Sequence, residues 1–571
     1  MNYLYAIILI LFLAGIVYGL YLRFRLHLLS WYAGFPPPKY RIKESRNVYV
    51  EMKDGIKLAA DIYIPQGEEN YPVIIARTPY DKNSHPYDYL AELMASQGYV
   101  FLIQDVRGKY ASGGYFIPYS HEGSDGDTTI GWAAKQPWSN GKIGLFGYSY
   151  SGTCAWLTTA RGNPALKTLV SMFTTQDTYF TWYDNGVAHI KGILHWIAKY
   201  HKRETYDFSE GAIEKTVAEL PLDQLDKKLV GYHISTYQEY LDHITPDNFW
   251  KQISVDDRSE IFKIPTLIIA GWYDRFLDGS IADFYRLTAN TQLIIGPYSH
   301  DPTFVFKEID YGKFIDFKRQ LLITLKWYNK WLKDEKVEEE GDIVDYFLMG
   351  SNEWKRAAGW PPGEVEYEEF HLTDRGLIQQ KQGIESRAQF VYDPEDPVPS
   401  IGTHALYGSG WEGPKEQTIL TSRRDVVTFR SPILEEDMVI TGPSKLVLYV
   451  SSSAPDTDFV VKLSDVHPNG TSYYLQSGFL RMRFRDGLDK VVMMKPNEVY
   501  KIELKIGHTA NTFKKGHKIQ IMICSSEFPG HNRNLNTGES NEHTHRIQKA
   551  FQKIYYGGQY DSCLILPVFK K

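Results

Sequence analysis

From Val48 to His300 the chain alternates short apolar runs with segments of helical period, and this rhythm limits the fold more than any other feature. The runs "KLAADIYIP" from Lys57, "YPVIIARTPY" from Tyr71, "YVFLIQDVRG" from Tyr99, "KIGLFGYS" from Lys142, "LKTLVSMFT" from Leu166, "PTLIIAGWYD" from Pro265 and "TQLIIGPYSH" from Thr291 read as strands. Between them, Tyr87 to Gln97, "GDTTIGWAAKQ" from Gly126 and Leu277 to Asn290 read as helices. Alternation of this kind predicts an α/β domain whose parallel sheet is covered on both faces. Residues 175–261 interrupt the rhythm with aromatic, helical sequence such as "HIKGILHWIAKYH", expected to form a cap over the sheet. A helix from Phe314 to Lys333, with Leu321, Leu322, Leu325, Trp327 and Trp331 on one face, closes the sheet domain. From residue 341 onward the helical period disappears. Alternating runs such as "SKLVLYVSS", "DFVVKLSDV" and "HKIQIMIC", separated by Gly, Pro and Asn turns, predict an all-β sandwich of the jelly-roll sort over 341–571.

Length and charge agree with this division. A chain of 571 residues exceeds one ordinary hydrophobic core. The expected units are an α/β domain over 46–174 and 262–340, the cap and the sandwich. A net charge of −6 with both signs interspersed gives no basic footprint for nucleic acid. Cys154, Cys524 and Cys563 match neither a zinc site nor a disulfide framework. Cys154 reads as an inert core thiol, and Cys524 and Cys563 could pair if their strands adjoin. "HTH" at His543 to His545 is better read as a polar loop pair than as a metal site, and "NGT" at Asn469 as a β-turn. No GxGxxG follows the first strand and no phosphate-binding GK[ST] loop occurs, so neither a cofactor nor a metal is expected.

At the amino end, "YLYAIILILFLAGIVYGLYL" from Tyr3 to Leu22 carries no charge. As a helix rising about 1.5 Å per residue it would cross a bilayer core. It has no basic region before it and no small-residue cleavage site after it, so a retained transmembrane anchor is expected rather than a secretory signal. Arg23, Arg25, Lys39, Arg41 and Lys43 all follow the segment, which places the rest of the chain on the cytoplasmic side. Residues 23–45, with "GFPPPK", form a linker.

The chemistry centres on "GKIGLFGYSYSGT" from Gly141 to Thr153, where two serines stand in a glycine-bounded turn between a strand and a helix. A sheet can present a nucleophilic serine on such a turn, with the next backbone N–H at a helix amino end to receive an oxyanion. Ser149 fits that position better than Ser151, although the elbow pattern asks for glycine where Ser151 stands, and a purely structural turn remains open on this motif alone. The later strand ends add weight. Asp274 ends one apolar run and His300 ends another, giving the chain order serine, acid, histidine with all three on one rim.

Here the sequence resembles the cocaine esterase and X-Pro dipeptidyl peptidase group of α/β-hydrolases. The resemblance runs through "RTPYDK" at 77–82, "QDVRG" at 104–108, "KQPWSNGKIGLFGYSYSG" at 135–152, "GWYD" at 271–274 and "GPYSH" at 296–300. It continues in "FRSPIL" at 429–434, "DTDFVVKLSDVHPNG" at 456–470 and "SSEFPGHNRNLNTG" at 525–538. The family motif GxSYxG accommodates Ser151 and implies Ser149 as nucleophile, Asp274 as the acid, His300 as the base, and an oxyanion hole of the Tyr80 hydroxyl and the Tyr150 N–H. It implies a small-molecule ester or amide substrate. Relatives that take α-amino esters carry acidic side chains shortly after the catalytic aspartate, whereas Arg275, Phe276 and Leu277 stand here. Tyr179, Phe180, Trp182, Tyr183, His195 and Trp196 of the cap favour an apolar or aromatic acyl group. X-Pro peptidase action and an idle, membrane-tethered binding protein with a jelly-roll ligand site are the alternatives. Asp105 and Arg107 are expected to form a structural ion pair. Nothing in the sequence decides between a monomer and a dimer.

Overall fold

The computed structural model describes Tyr5 and residues 24–570, apart from 85–86, 256–262, 289, 313–316, 336–340, 364 and 405–410. The expected anchor over 3–22 therefore lies outside the described residues except for Tyr5. Among the described residues no helix is long and apolar enough to cross a membrane.

The first sheet has ten strands. In chain order they are β1 (Ile42–Glu51), β2 (Lys57–Pro65), β3 (Tyr71–Thr78), β4 (Val100–Asp105), β5 (Ser139–Tyr148), β6 (Leu166–Met172), β9 (Thr266–Tyr273), β10 (Thr291–Ser299), β11 (Ile343–Leu348) and β12 (Glu353–Ala357). Across the sheet the order is β1-β2-β4-β3-β5-β6-β9-β10-β11-β12. The run from β4 to β11 is parallel. The expected parallel sheet is thus extended by antiparallel strands at both edges.

Side chains of the inner strands alternate between two apolar layers, as the period of two requires. Val100 and Leu102 face one layer, with Ile130 and Trp156 of the helices Glu122–Ala133 and Tyr150–Thr159. Phe101 and Ile103 face the other, with Leu90 and Leu93 of Tyr87–Ser96 and Leu325 and Tyr328 of Phe317–Lys333. Both faces are covered, so β3, β4 and β9 are buried at every residue and lack the polar alternation of a one-sided sheet.

Residues 178–253 form the expected helical cap, entered by the helix Thr178–Trp182 and the short hairpin of β7 (Tyr183–Asp184) and β8 (Val187–Ala188), followed by Ile190–Tyr200 and smaller helices. The rest of the chain is an antiparallel two-sheet sandwich. One sheet contains β13 (Val365–Thr373), β14 (Gly376–Ile378), β15 (Ser386–Tyr392), β17 (Met438–Ser452), β20 (Tyr500–Phe513), β22 (Ala550–Tyr556) and β23 (Cys563–Phe569). The other contains β16 (Val427–Arg430), β18 (Asp458–Val466), β19 (Ser472–Arg481) and β21 (Lys518–Cys524).

Three expectations are corrected. The sandwich does not begin at 341, because β11 pairs in parallel with β10 and β12 folds back on β11, so both complete the first sheet. Cys524 and Cys563 stand on strands of different sheets and are free and buried, so they do not pair. Asp105 and Arg107 do not pair with each other. Asp105 accepts from the Lys82 backbone N–H at 2.8 Å and faces the Lys82 ammonium at 3.9 Å, while Arg107 bonds Asp125 at 2.7 Å and Asp54 at 2.5 Å. Asp105 is the last residue of β4, whereas Arg107 lies in the turn that follows it, so the two side chains meet different partners. Cys154 is buried as expected, and burial holds its thiol well above the ordinary range. Asn469 lies in the expected turn, where its side chain accepts from the Thr471 N–H at 3.0 Å.

Candidate active site

β5, β9 and β10 run parallel, with β6 between the first two, so their carboxyl ends share one rim. Ser149, Asp274 and His300 each follow one of these ends. His300 Nε2 lies 3.0 Å from Ser149 Oγ, and His300 Nδ1 lies 2.9 Å from Asp274 Oδ1. Asp274 is fully buried, and the His300 side chain is 17% exposed, so the imidazole forms the boundary between the buried acid and the solvent-facing serine.

Ser149 has φ +56° and ψ −131°, a strained conformation for a residue with a Cβ. Its N–H donates to the Met172 carbonyl at 3.0 Å, which fixes the turn against β6. A Cβ at Gly147 would collide with the backbone of Ser151 and Gly152, and one at Gly152 with the Thr174 side chain. Glycine at these two places lets the strand reverse tightly into its helix. Ser151 is a different kind of serine. It is fully buried, and its hydroxyl bonds the Tyr87 hydroxyl at 2.8 Å, inside the layer below the turn.

Tyr150 is the first residue of the helix Tyr150–Thr159, so its N–H has no acceptor within the helix and faces the rim. Its ring is locked: the hydroxyl donates to Glu122 Oε1 at 2.9 Å and accepts from the Tyr119 N–H at 2.8 Å. Glu122 is in turn paired with buried Arg77 at 3.2 Å. The Tyr80 hydroxyl accepts from Trp196 Nε1 at 3.3 Å. Burial raises its pKa above the ordinary phenol value, opposed by hydrogen bonds with Trp196 and Ser149, so Tyr80 stays protonated and able to donate beside the serine. One O–H and one N–H near Ser149 Oγ are suited to a developing oxyanion.

The cap aromatics divide by role. Trp196 stacks on Tyr150 with ring centres 5.4 Å apart and contacts Trp182 at 5.6 Å, so it belongs to the site wall. Tyr179 and Tyr183 stack on each other at 5.2 Å and bond the carbonyls of Ile244 and Tyr240, which makes them core of the cap. His195, on the same helix as Trp196, lies near the charges of Glu210 and Lys199. Phe180 lies under the Arg275 guanidinium at 4.5 Å. That guanidinium is 3.2 Å from Asp184 and donates to the Tyr183 carbonyl at 3.2 Å, joining the loop after Asp274 to the cap.

Sequence reasoning missed the residues that hold His300. The Tyr148 hydroxyl donates to the His300 carbonyl, and the rings of Tyr148 and Phe276 lie 5.4 and 5.3 Å from the imidazole. Tyr148 was in view as the residue before Ser149, but contact with a position 152 residues later leaves no local signal. The sandwich also braces the acid: His404 lies 2.8 Å from the Trp272 carbonyl, and the His508 N–H donates to Asp278 at 3.2 Å. His543 of the "HTH" stretch faces Asp223 at 3.1 Å and Asp242 at 3.3 Å of the cap.

A serine on a strained strand-to-helix turn, aligned with an imidazole and acid from later strands, is the arrangement of serine hydrolases with the α/β-hydrolase fold. Known proteins narrow the class. Residues 54–302 match the X-Pro dipeptidyl-peptidase (S15 family), and residues 336–565 match the X-Pro dipeptidyl-peptidase C-terminal non-catalytic domain. Cocaine esterase of Rhodococcus sp. (strain MB1 Bresler) is 32% identical over 92% of this chain and 98% of its own. The chain therefore belongs to the cocaine esterase and X-Pro dipeptidyl-peptidase (S15) family of hydrolases, and it is an enzyme. A putative serine esterase of Mycobacterium tuberculosis is 25% identical over 86% of this chain and 91% of its own. Among solved structures, an α-amino acid ester hydrolase superposes with a TM-score of 0.81 at 23% identity, covering 93% of this chain and 97% of its own. An aminopeptidase from a marine sediment archaeon, Thaumarchaeota archaeon, does so with 0.82 at 23% identity, covering 94% and 98%.

Proposed function

We propose that the enzyme cleaves carboxylic esters through an acyl-enzyme on Ser149. The observation that carries this reading is the unbroken chain Asp274–His300–Ser149, with contacts of 2.9 and 3.0 Å. His300 Nε2 takes the Ser149 proton as Oγ attacks the carbonyl carbon, and Asp274 holds Nδ1–H and stabilises the imidazolium. The tetrahedral oxyanion is received by the Tyr150 N–H and the Tyr80 hydroxyl. His300 then protonates the leaving alcohol, and water, deprotonated by the same nitrogen, releases the acid. Trp196 and its aromatic neighbours favour an apolar or aromatic acyl group, and none of Arg275, Phe276 and Leu277 supplies an acidic side chain to pair with a substrate ammonium.

A labelled fluorophosphonate is expected to attach to the wild type and not to Ser149→Ala. Labelling that survives this change, or moves to Ser151, overturns the assignment, and a wild type that takes no label is a binding protein rather than an esterase. Aryl esters, aliphatic esters and X-Pro amides assayed side by side rank the substrates. Preference for the amides would make the chain an X-Pro dipeptidyl peptidase. Residues 3–22 are proposed to anchor the chain with its folded domains on the cytoplasmic face, on the strength of an uncharged span followed by basic residues. Protease added to intact cells should leave the domains uncut, whereas digestion without permeabilisation reverses the orientation.

A further inference from the structure

β18 and β21 pair antiparallel with Asp465 opposite Ile519 and Val466 opposite Lys518. One step further along this register, His467 stands opposite His517, and Asp465, two residues before His467, lies on the same face. The two imidazole centres are 4.4 Å apart. Asp465 turns one oxygen to each: Oδ1 is 2.9 Å from His517 Nδ1, and Oδ2 is 3.9 Å from His467 Nε2. The second separation is too long for a hydrogen bond, so a carboxylate oxygen and an imidazole nitrogen face each other across a gap.

From this geometry we infer that Asp465, His467 and His517 form a binding site for a divalent transition-metal ion, with zinc the best match. One donor atom from each residue lies within 4.8 Å of the others. Ligand atoms on a tetrahedral zinc with bonds of about 2.0–2.2 Å stand about 3.4 Å apart, and the two measured separations bracket that value. Two imidazoles and a carboxylate are the donor set such an ion takes, and the half-exposed His467 leaves room for water in the remaining position. The turn is already set, since the Gly470 N–H donates to the His467 carbonyl at 2.9 Å and the Tyr473 ring packs 4.7 Å from the imidazole.

Charge selects this cluster over two others of similar composition. Asp184, His189 and His531 share their carboxylate with the Arg275 guanidinium at 3.2 Å. Beside Glu369, His371 and Cys563, Asp561 contacts His371 at 2.7 Å and brings in Lys381 at 2.5 Å. Among the described residues, the ion-pair partners of Asp465 are its two imidazoles. A metal here would fasten the β18–β19 turn to the start of β21, and holding those strands together it would stabilise the sandwich.

The test uses the full chain, stripped with chelator, then titrated with zinc chloride by calorimetry and with cobalt chloride by visible absorption. One zinc per chain is expected at this site, with a cobalt d–d band of low-symmetry nitrogen and oxygen coordination and a melting temperature that rises with zinc. His467→Ala with His517→Ala should weaken zinc binding by more than about 100-fold, since even an outer-shell partner is worth 10–100-fold. Asp465→Asn retains the shape of the side chain and should weaken binding while leaving the chelated protein's melting temperature nearly unchanged. Fluorophosphonate labelling of every variant at the wild-type rate verifies the fold. Failure of the wild type to take up zinc at micromolar concentration and neutral pH overturns the site. So does uptake that survives the double substitution, including uptake lost instead in Cys563→Ser.

Discussion

The rim of the first sheet and the polar belt of the sandwich both carry buried charges and both contain stretches of the family pattern, but they treat those charges in opposite ways. In the belt, Arg481 meets Asp458 through two contacts of 3.0 Å, Arg483 meets Asp456 at 2.8 Å, and Asn534 donates to both aspartates at 2.7 and 2.8 Å. Arg481 also donates to the Gly186 carbonyl of the cap hairpin at 3.2 Å. At the rim, Asp274 is just as buried, yet among the described residues its Oδ2 has no hydrogen-bond partner, and Ser149 stays in a strained conformation. Saturated pairing makes a joint. Incomplete pairing, aimed at one imidazole, leaves charge available to a reaction.

The largest effect should separate the two regions outright. Asp274→Asn is expected to lower kcat by about 10⁴-fold, because the imidazole loses its orienting acceptor, while the melting temperature changes little. A large fall in melting temperature would move Asp274 into the structural class. Arg481→Leu should do the reverse. Leaving Asp458 buried and unpaired costs about 3–5 kcal/mol of stability, read by denaturant unfolding, and kcat of the enzyme that remains folded should not change. Tyr80→Phe sharpens the rim side: loss of one oxyanion donor should lower kcat by about 10²–10³-fold with the ring's packing retained. An unchanged kcat/KM on an aryl ester would remove Tyr80 from the mechanism. The smallest effect concerns the second serine. Ser151→Ala should cost about 1 kcal/mol through the lost bond to Tyr87 and leave fluorophosphonate labelling intact.

The same contrast explains how far the sequence could be read. Residues at strand ends are legible because an apolar run fixes where its strand stops, and Ser149, Asp274 and His300 each lie one step past such a stop. Long-range supports leave no trace of that kind. Tyr87 under Ser151, Tyr148 on His300 and His404 behind Trp272 are chosen by packing between segments that the sequence does not show to be neighbours. The same limitation misdirected Asp105 and Arg107, two residues apart along the chain but facing different partners. The cap aromatics were legible as a group but not by role, since Trp196 on the site wall and Tyr179 in the cap core are both buried aromatics on cap helices.

The boundary near residue 341 was misplaced for a related reason. Periodicity detects that a segment is a strand, not which sheet accepts it. β11 and β12 are read as sandwich sequence but hydrogen-bond into the first sheet. For a chain made from its amino end this sets an order of events. Until residue 348 has emerged from the ribosome, β10, whose far end positions His300, is an open sheet edge exposing unpaired backbone. The sheet that holds Ser149, Asp274 and His300 is therefore finished by sequence that the domain division of the family assigns to the other half, and gene fusions or truncations that respect that division would release an enzyme with a raw, aggregation-prone flank.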